Sequence, residues 1–336
     1  GFVVDGDGKK MSKSIGNVIA PQKVNDSLGA DILRLWVAST DYSGELAISD
    51  EILKRTTDSY RRLRNTIRFL LANLSDFDPI TDAVAYGDML SLDRYAVVLA
   101  RQLQERLVGD HYPRYAFHYA VQDIVHFCAD EMGAFYLDIL KDRLYTMQAD
   151  SRGRRSAQTA LYHITRSLIL GISPILCFTA EEAWEILAGG NEDSVLYHTL
   201  HEFPSMPETV EVEVELAKKW QAVREVREAV NKEIETKRAA EVVGSSWQAA
   251  VSITAPEPTY GYLRAVGEEL RFVLMVSKVS VSEGEALSIV VDKAEGEKCE
   301  RCWHYLPDVG SNSAHPCLCA RCIDNVEGKG EERLLA

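Results

Sequence analysis

The strongest constraint on folding lies in the last 40 residues, which hold five of the seven cysteines. Cys299-x2-Cys302 is followed, after sixteen residues, by Cys319-x2-Cys322. Two such pairs at this separation are the pattern of two knuckles closing on one tetrahedral ion. Four thiolates fill every position of a structural zinc site and leave none open for catalysis. A segment this short cannot bury a core of its own, so metal binding would supply its folding energy. Cys317, His304 and His315 are rival ligands. Cys317 could pair with Cys302, but Cys317-x-Cys319 makes a poor knuckle, which leaves Cys317 a bystander. Lys298, Arg301 and Arg321 flank the cluster, either to hold thiolate charge or to offer cations to a phosphate backbone. Cys128 and Cys177 fall in apolar helical patterns and read as inert core residues. Clustering at metal spacing, with no secretion signal, favours a reducing cytoplasm over disulfides.

The rest of the chain is mainly helical. Pro21 suits a first helical position and Gly29 a helix end. Asp31 starts the next helix, which turns Ile32, Leu35 and Trp36 to one side. Ser49 caps a long helix with Asp50 and Glu51 in its first turn. Ile52, Thr56, Tyr60, Leu63, Ile67, Leu70 and Leu74 then recur at the helical period. Three further stripes run from Leu92 to Leu107, from Phe117 to Ile139 and from Ala157 to Ile172. Pro174 interrupts the last, and a fourth helix begins at Thr179 and buries Trp184. Short connections make residues 50–190 an antiparallel helical bundle. Gly189, Gly190, Pro204 and Pro207 mark a breaker-rich acidic connection. A helix from Leu216 to Arg238 follows, with Trp220, Val223, Val226, Val230 and Ile234 on one side. The period then changes. Val242-Val243, Ala249 to Ile253 and Val276 to Val281 read as strands around a helix near Pro258 to Leu270, a small α+β module. Only Gly328 to Arg333 read as mobile. The longest apolar run, Leu168 to Ala180, is broken by Ser173, Pro174 and Thr179 and is too short to span a bilayer.

Net charge is −14, which argues weakly against a nucleic-acid partner, but its distribution matters more. Lys54, Arg55, Arg61, Arg62, Arg64 and Arg68 stand against the single acid Asp58. Between Lys141 and Arg166, six basic residues face two acids. Such helices could hold RNA locally, or could simply be solvated faces.

Near the start, Val3-Val4 reads as a short strand and Asp5-Gly6-Asp7-Gly8 as a turn. They lead into Lys9-Lys10-Met11-Ser12-Lys13-Ser14-Ile15-Gly16-Asn17. Three lysines, two hydroxyls and glycine-exposed backbone make a loop suited to a polyanion. The chain opens inside a strand, without an initiator Met or a signal peptide, so it is expected to be a piece of a longer protein.

Lys10-Met11-Ser12-Lys13-Ser14 is also the signature loop of class I aminoacyl-tRNA synthetases. The whole chain resembles the C-terminal part of a bacterial isoleucyl-tRNA synthetase. The stretches that carry this are the loop with Gly29-Ala30-Asp31-Ile32-Leu33-Arg34-Leu35-Trp36; Ser49 to Arg55 running into Tyr60 to Thr66; Phe135 to Asp138 with Lys141-Asp142-Arg143; and Gly296 to His304. Valyl, leucyl and methionyl enzymes share the loop. Ile15, the Leu-Arg-Leu-Trp helix and the terminal four-cysteine knuckle favour the isoleucyl family.

The resemblance implies the tail of a class I α/β catalytic domain over residues 1–48 and a helical anticodon-binding domain over 49–205. It further implies an α+β junction module over 206–292 and a zinc-binding knuckle over 293–336. It implies ATP-dependent activation of isoleucine and transfer to isoleucine-accepting tRNA, by a cytoplasmic, membrane-free monomer. Lys13 would be the main ATP contact, Lys10 the second cation, and Ser12 and Ser14 hydroxyl donors, with Mg2+ accompanying ATP. One structural Zn2+ would be held by Cys299, Cys302, Cys319 and Cys322. The histidine-containing nucleotide fold and the editing insertion are absent from this sequence, so this piece alone is expected to be inactive. The alternatives are a stand-alone tRNA-binding module and a valyl or leucyl homologue.

Overall fold

The computed structural model describes residues 1–190, 193–205 and 210–336. Pro207, read above as a breaker, lies outside the described residues. In chain order the elements are β1 (Val3–Val4), α1 (Pro21–Leu28), α2 (Ala30–Ser39), β2 (Leu46–Ala47), α3 (Asp50–Ala72), α4 (Ser91–Arg106), α5 (Phe117–His126), α6 (Leu137–Thr146), α7 (Arg152–Ile172) and α8 (Cys177–Leu187). They continue with α9 (Val210–Ala239), β3 (Ala249–Ala255), α10 (Thr259–Val266), α11 (Leu270–Leu274), β4 (Lys278–Glu283), β5 (Ser288–Lys293), β6 (Glu297–Lys298), β7 (Tyr305–Leu306) and α12 (Ala320–Glu327). The fold is mainly α, as the periodicities imply. Two stretches, Leu107–His111 and Phe127–Tyr136, are π-helical, so the stripe from Phe117 to Ile139 is carried by three consecutive helical segments rather than one.

The described residues form two compact units. The first comprises 1–76, 97–134 and 161–203, the second 77–96, 135–160 and 204–336.

In the first unit β1 and β2 pair in parallel, Val3 opposite Leu46 and Val4 opposite Ala47. Around this pair, Val24, Trp36, Leu46, Ile48 and Leu53 form a buried cluster. The Ser49 side chain accepts from the Ile52 N–H at 3.2 Å, capping α3 as its sequence implied. The basic face of α3 is partly used by the fold. Arg64 makes a forked pair with Glu182 at 2.7 and 2.8 Å, and Arg55 and Arg61 pair with Glu51 and Asp58 on their own helix. Elsewhere in this unit the His163 Nδ1 lies 2.9 Å from the His201 Nε2.

In the second unit Asp93 and Arg143 form an ion pair at 2.6 Å with both side chains fully buried. Tyr136 and Ser156 donate to the same carboxylate, and Trp220 is buried with its indole N–H on Ser91. Several cations of the basic run between Lys141 and Arg166 are used by the fold. Arg143 is inside, Arg152 donates to the Asp88 carbonyl, and Arg155 pairs with Asp82.

The α+β module is a three-stranded sheet in the order β4-β3-β5, with β4 parallel and β5 antiparallel to β3. Val251 and Ile253 of β3 face its core. Three expectations are corrected here. Val242-Val243 is not a strand: the Val242 N–H returns to the Lys237 carbonyl at 2.9 Å and closes the end of α9. Ser288–Lys293 is an additional strand. The helix near Pro258 to Leu270 is broken at Gly267, whose φ is +61°, giving α10 and α11. The end of the sequence, expected to be mobile over Gly328 to Arg333, is instead tied into the fold by hydrogen bonds such as that of the Glu331 N–H to the Asn325 side chain. The Glu269 carboxylate accepts the backbone N–H groups of Leu334, Leu335 and Ala336 at 2.7–2.9 Å, and Arg333 is buried.

Burial pushes His163 down to about 4 and His201 down to about 3, with Arg166 adding to both. In the unfolded chain these imidazoles take up protons near pH 6.5. The folded unit resists protonation until far lower pH, so stability falls as pH drops from about 6.5 towards 4. Unfolding free energies from denaturant titrations between pH 7 and pH 5 should fall by roughly 1.4 kcal/mol per pH unit for each histidine at most. His201→Gln should flatten that slope; an unchanged slope would contradict this assignment. Arg143→Met should cost about 3–5 kcal/mol in urea unfolding, because Asp93 is left buried without its counter-charge.

Candidate functional site

The terminal cysteines are brought together as their spacing implied. Cys299, Cys302, Cys319 and Cys322 are all buried, and their sulfur atoms lie within 4.8 Å of one another. The Cys302 and Cys319 sulfurs are 3.7 Å apart. A disulfide would require about 2.05 Å. The edge of a tetrahedron around a metal with sulfurs at ~2.3 Å is about 3.8 Å, so the separation fits a metal quartet. The Cys319 N–H points at the Cys299 sulfur at 3.4 Å.

Local structure explains the convergence. β6 and β7 pair as an antiparallel hairpin, Glu297 opposite Leu306 and Lys298 opposite Tyr305. It carries the first knuckle, closed by the Trp303 N–H on the Cys299 carbonyl at 2.9 Å. Gly296 sits at φ +93°, and a Cβ there would lie 2.3 Å from the Leu306 carbonyl carbon, so glycine is required. Cys319 immediately precedes α12 and Cys322 lies in its first turn, where Asp308 accepts the Ala320 N–H at 2.7 Å. Leu306, Val309 and Leu318 pack around the cluster.

None of the rival ligands is among the four groups that converge, although His304 lies against Cys302. Cys317 is exposed. The His315 ring pairs with Glu327 at 2.8 Å. His304 is buried with its Nδ1 against the Cys302 carbonyl. The flanking cations are used in different ways. Lys298 is exposed and lies over the Trp303 ring. Arg301 reaches the Tyr145 and Thr146 carbonyls. Arg321 is committed to Asp142 and Glu331, so it offers no cation to a phosphate.

The lysine loop follows β1. Asp5 organises it: its carboxylate accepts the Asp7 and Lys9 N–H groups and the Asn17 side-chain amide. These bonds, Asn17's first, hold the Asp5 carboxyl below the usual carboxylate range. Asn17 also accepts the Ser12 N–H at 2.9 Å and donates to the Lys10 carbonyl. Ser12 and Ser14 share a hydrogen bond of 3.0 Å, and Gly16 turns the chain at φ +78°. Met11 packs onto the buried cluster around Trp36. Lys10 and Lys13 are exposed, and neither makes an ion pair among the described residues. The result is a fixed loop with two uncommitted cations. Asp5 and Asn17 were missed as organisers by sequence reading; the signal was an acid before the turn and an amide after it, both able to bond backbone.

Known families match three parts of the chain. Residues 1–49 match the family described as "tRNA synthetases class I (I, L, M and V)", and residues 93–253 match "Anticodon-binding domain of tRNA ligase". Residues 296–325 match "Zinc finger found in FPG and IleRS". Together they define a class I aminoacyl-tRNA synthetase chain with an anticodon-binding bundle and a zinc-finger-like cysteine cluster that supports a structural zinc. The isoleucine–tRNA ligase of Neisseria meningitidis serogroup B is 68% identical over 99% of this chain. Those of Laribacter hongkongensis and Chromobacterium violaceum are 62% and 59% identical over its whole length. The chain belongs to the isoleucine–tRNA ligase family, and it spans about 36% of the length of these relatives. Among the described residues, no helix is long and apolar enough to cross a membrane.

Metal analysis of purified protein should give one zinc per chain. Cys302→Ser and Cys322→Ser should lower that value and unfold the terminal segment, whereas Cys317→Ser should leave it at one. Loss of metal in the Cys317 variant would redraw the ligand set.

Proposed function

We propose that this chain acts as the tRNA-facing part of an isoleucine–tRNA ligase, which makes isoleucyl-adenylate from ATP and isoleucine and then passes isoleucine to its tRNA. The observation that carries this reading is 59–68% identity to curated isoleucine–tRNA ligases across essentially the whole chain. Residues 1–48 end the catalytic domain, 49–205 bind the anticodon arm, 206–292 form a junction and 293–336 the zinc knuckle. The enzyme works in the cytoplasm as a monomer. This chain alone carries out neither activation nor editing.

In adenylation, negative charge builds on the departing pyrophosphate. A rigid loop that aims exposed ammonium groups at that position lowers the barrier by fixed electrostatics. Lys13 is the main contact to ATP, which arrives with Mg2+, and Lys10 is the second cation. Ser12 and Ser14, hydrogen-bonded to each other at 3.0 Å, leave one hydroxyl proton of the pair to donate to a phosphate oxygen. The uncommitted state of both ammonium groups supports this, since neither must break an ion pair to bind phosphate. Cys299, Cys302, Cys319 and Cys322 hold the zinc, which stiffens the terminal segment and takes no part in the reaction.

In the full-length protein, Lys13→Ala should raise the barrier to isoleucine-dependent ATP–pyrophosphate exchange by about 2–4 kcal/mol. An unchanged exchange rate would remove Lys13 from the chemistry.

A further inference from the structure

Helix α2 has two working faces. On one, Asp31 and Arg34 stand three residues apart and project together. On the other, Leu33 and Trp36 belong to the apolar cluster onto which Met11 of the lysine loop packs. At 100° per residue, the two pairs lie on nearly opposite sides of the helix.

The polar face grips the corner between α7 and α8. Asp31 is buried, and its Oδ2 accepts both the backbone N–H and the hydroxyl of Thr179, at 2.7 and 2.6 Å. Thr179 lies in the first turn of α8, where backbone N–H groups lack helical partners and the helix dipole is positive. No side chain of α8's own N-cap residue, Leu176, caps it; the cap comes from α2, 148 residues earlier. Arg34 completes the grip, donating from Nε to the Ile175 carbonyl at 2.7 Å and from Nη2 to the Pro174 carbonyl at 2.8 Å. One helix thus presents an anion to the N–H end of α8 and a cation to the carbonyls of the turn before it. Tyr60 of α3 bonds the Thr179 hydroxyl at 2.9 Å, and Arg64 ties Tyr60 to Glu182 of α8. The corner is therefore held from two helices.

We propose that Asp31 and Arg34 are positioning residues for the lysine loop: they lock α2 to the α7–α8 corner, and α2 in turn fixes, through the Trp36 cluster and Met11, where Lys13 stands. This rests on the reading that Lys13 acts in adenylation. Holding a reacting group to within a fraction of an ångström is what such a lock supplies. The Asp31 Oδ1 has no hydrogen-bond partner among the described residues although it is buried. A buried carboxylate left half satisfied costs stability.

A double-mutant cycle in the full-length protein tests this, with ATP–pyrophosphate exchange as the readout and thermal unfolding as the control. Asp31→Asn is expected to slow exchange about tenfold in the native background, through displacement of the loop. In the Lys13→Ala background the same substitution should change the rate less than about twofold, because the group it positions is gone. Arg34→Gln should behave alike, and Thr179→Ser, which keeps the hydroxyl, should exchange at the native rate. Effects of Asp31→Asn and Lys13→Ala that simply multiply would overturn the proposal, as would native exchange in both single clamp variants. If Lys13→Ala alone leaves exchange unchanged, the catalytic reading of the loop fails first and this inference falls with it.

Discussion

The second unit depends on Asp142. Its carboxylate is buried and takes a forked pair of bonds from Arg321 of α12, at 2.8 and 2.9 Å, together with a contact from Arg333. Burial alone would push this carboxyl up, but the two guanidinium groups outweigh it and hold it well below the usual carboxylate range. Glu331 bridges the same two arginines. The neighbouring residue, Arg143, turns away and is locked into Asp93. Adjacent positions on α6 therefore anchor two structures. One is the zinc-finger-like segment with the last residues of the sequence; the other is the start of α4 with Tyr136 and Ser156. Removing one partner from such a buried set costs far more than the pair contributes. The terminal segment accordingly has two supports, the thiol quartet within it and the Asp142 network beneath it.

That network explains why counting charges was a poor guide. Lys141 to Arg166 is rich in basic residues, and in sequence it is indistinguishable from a nucleic-acid face. In the fold Arg143 is inside, Arg152 and Arg155 reach loop carbonyls and carboxylates, and Arg321, which flanks the cysteines, is spent on Asp142. Each partner is distant in sequence: Asp93 from Arg143, Asp142 from Arg321. Long-range pairing leaves no local pattern, so the sequence could mark these residues only through resemblance to the Lys-Asp-Arg stretch of the synthetases. Helices were legible because the 3.6-residue period is local. The same holds for the Ser49 cap and the Gly29 stop. Val242-Val243 misled because two β-branched residues after a long helix look like a strand, whereas the closure of α9 decides their conformation. The ordered end was hidden for a similar reason: Glu269 captures three backbone N–H groups from 65 or more residues away.

The two sites differ in how far the sequence could define them. Four cysteines at knuckle spacing carry their geometry with them, since two tight turns need only be brought face to face. The structure adds Gly296 and Asp308 as the residues that make the turns possible. The lysine loop was legible as a polyanion site and, through its five-residue signature, as a class I motif. What fixes it was not. Asp5 and Asn17 bind the loop from within, and Met11 seats it on the cluster around Trp36. Lys10 and Lys13 are consequently presented by a hydrogen-bonded base while their ammonium groups make no ion pair among the described residues. A helical bundle matching anticodon-binding domains suits a chain whose proposed partner is a folded RNA.

That partnership is most directly tested by binding of isoleucine-accepting tRNA to this 336-residue chain, measured at two or more salt concentrations alongside a noncognate tRNA. If the chain is the tRNA-facing part of the enzyme, it should bind the isoleucine acceptor more tightly. Its affinity should also fall steeply with salt, as phosphate contacts release counter-ions. Binding without a salt slope, or equal binding of both tRNAs, would contradict that role.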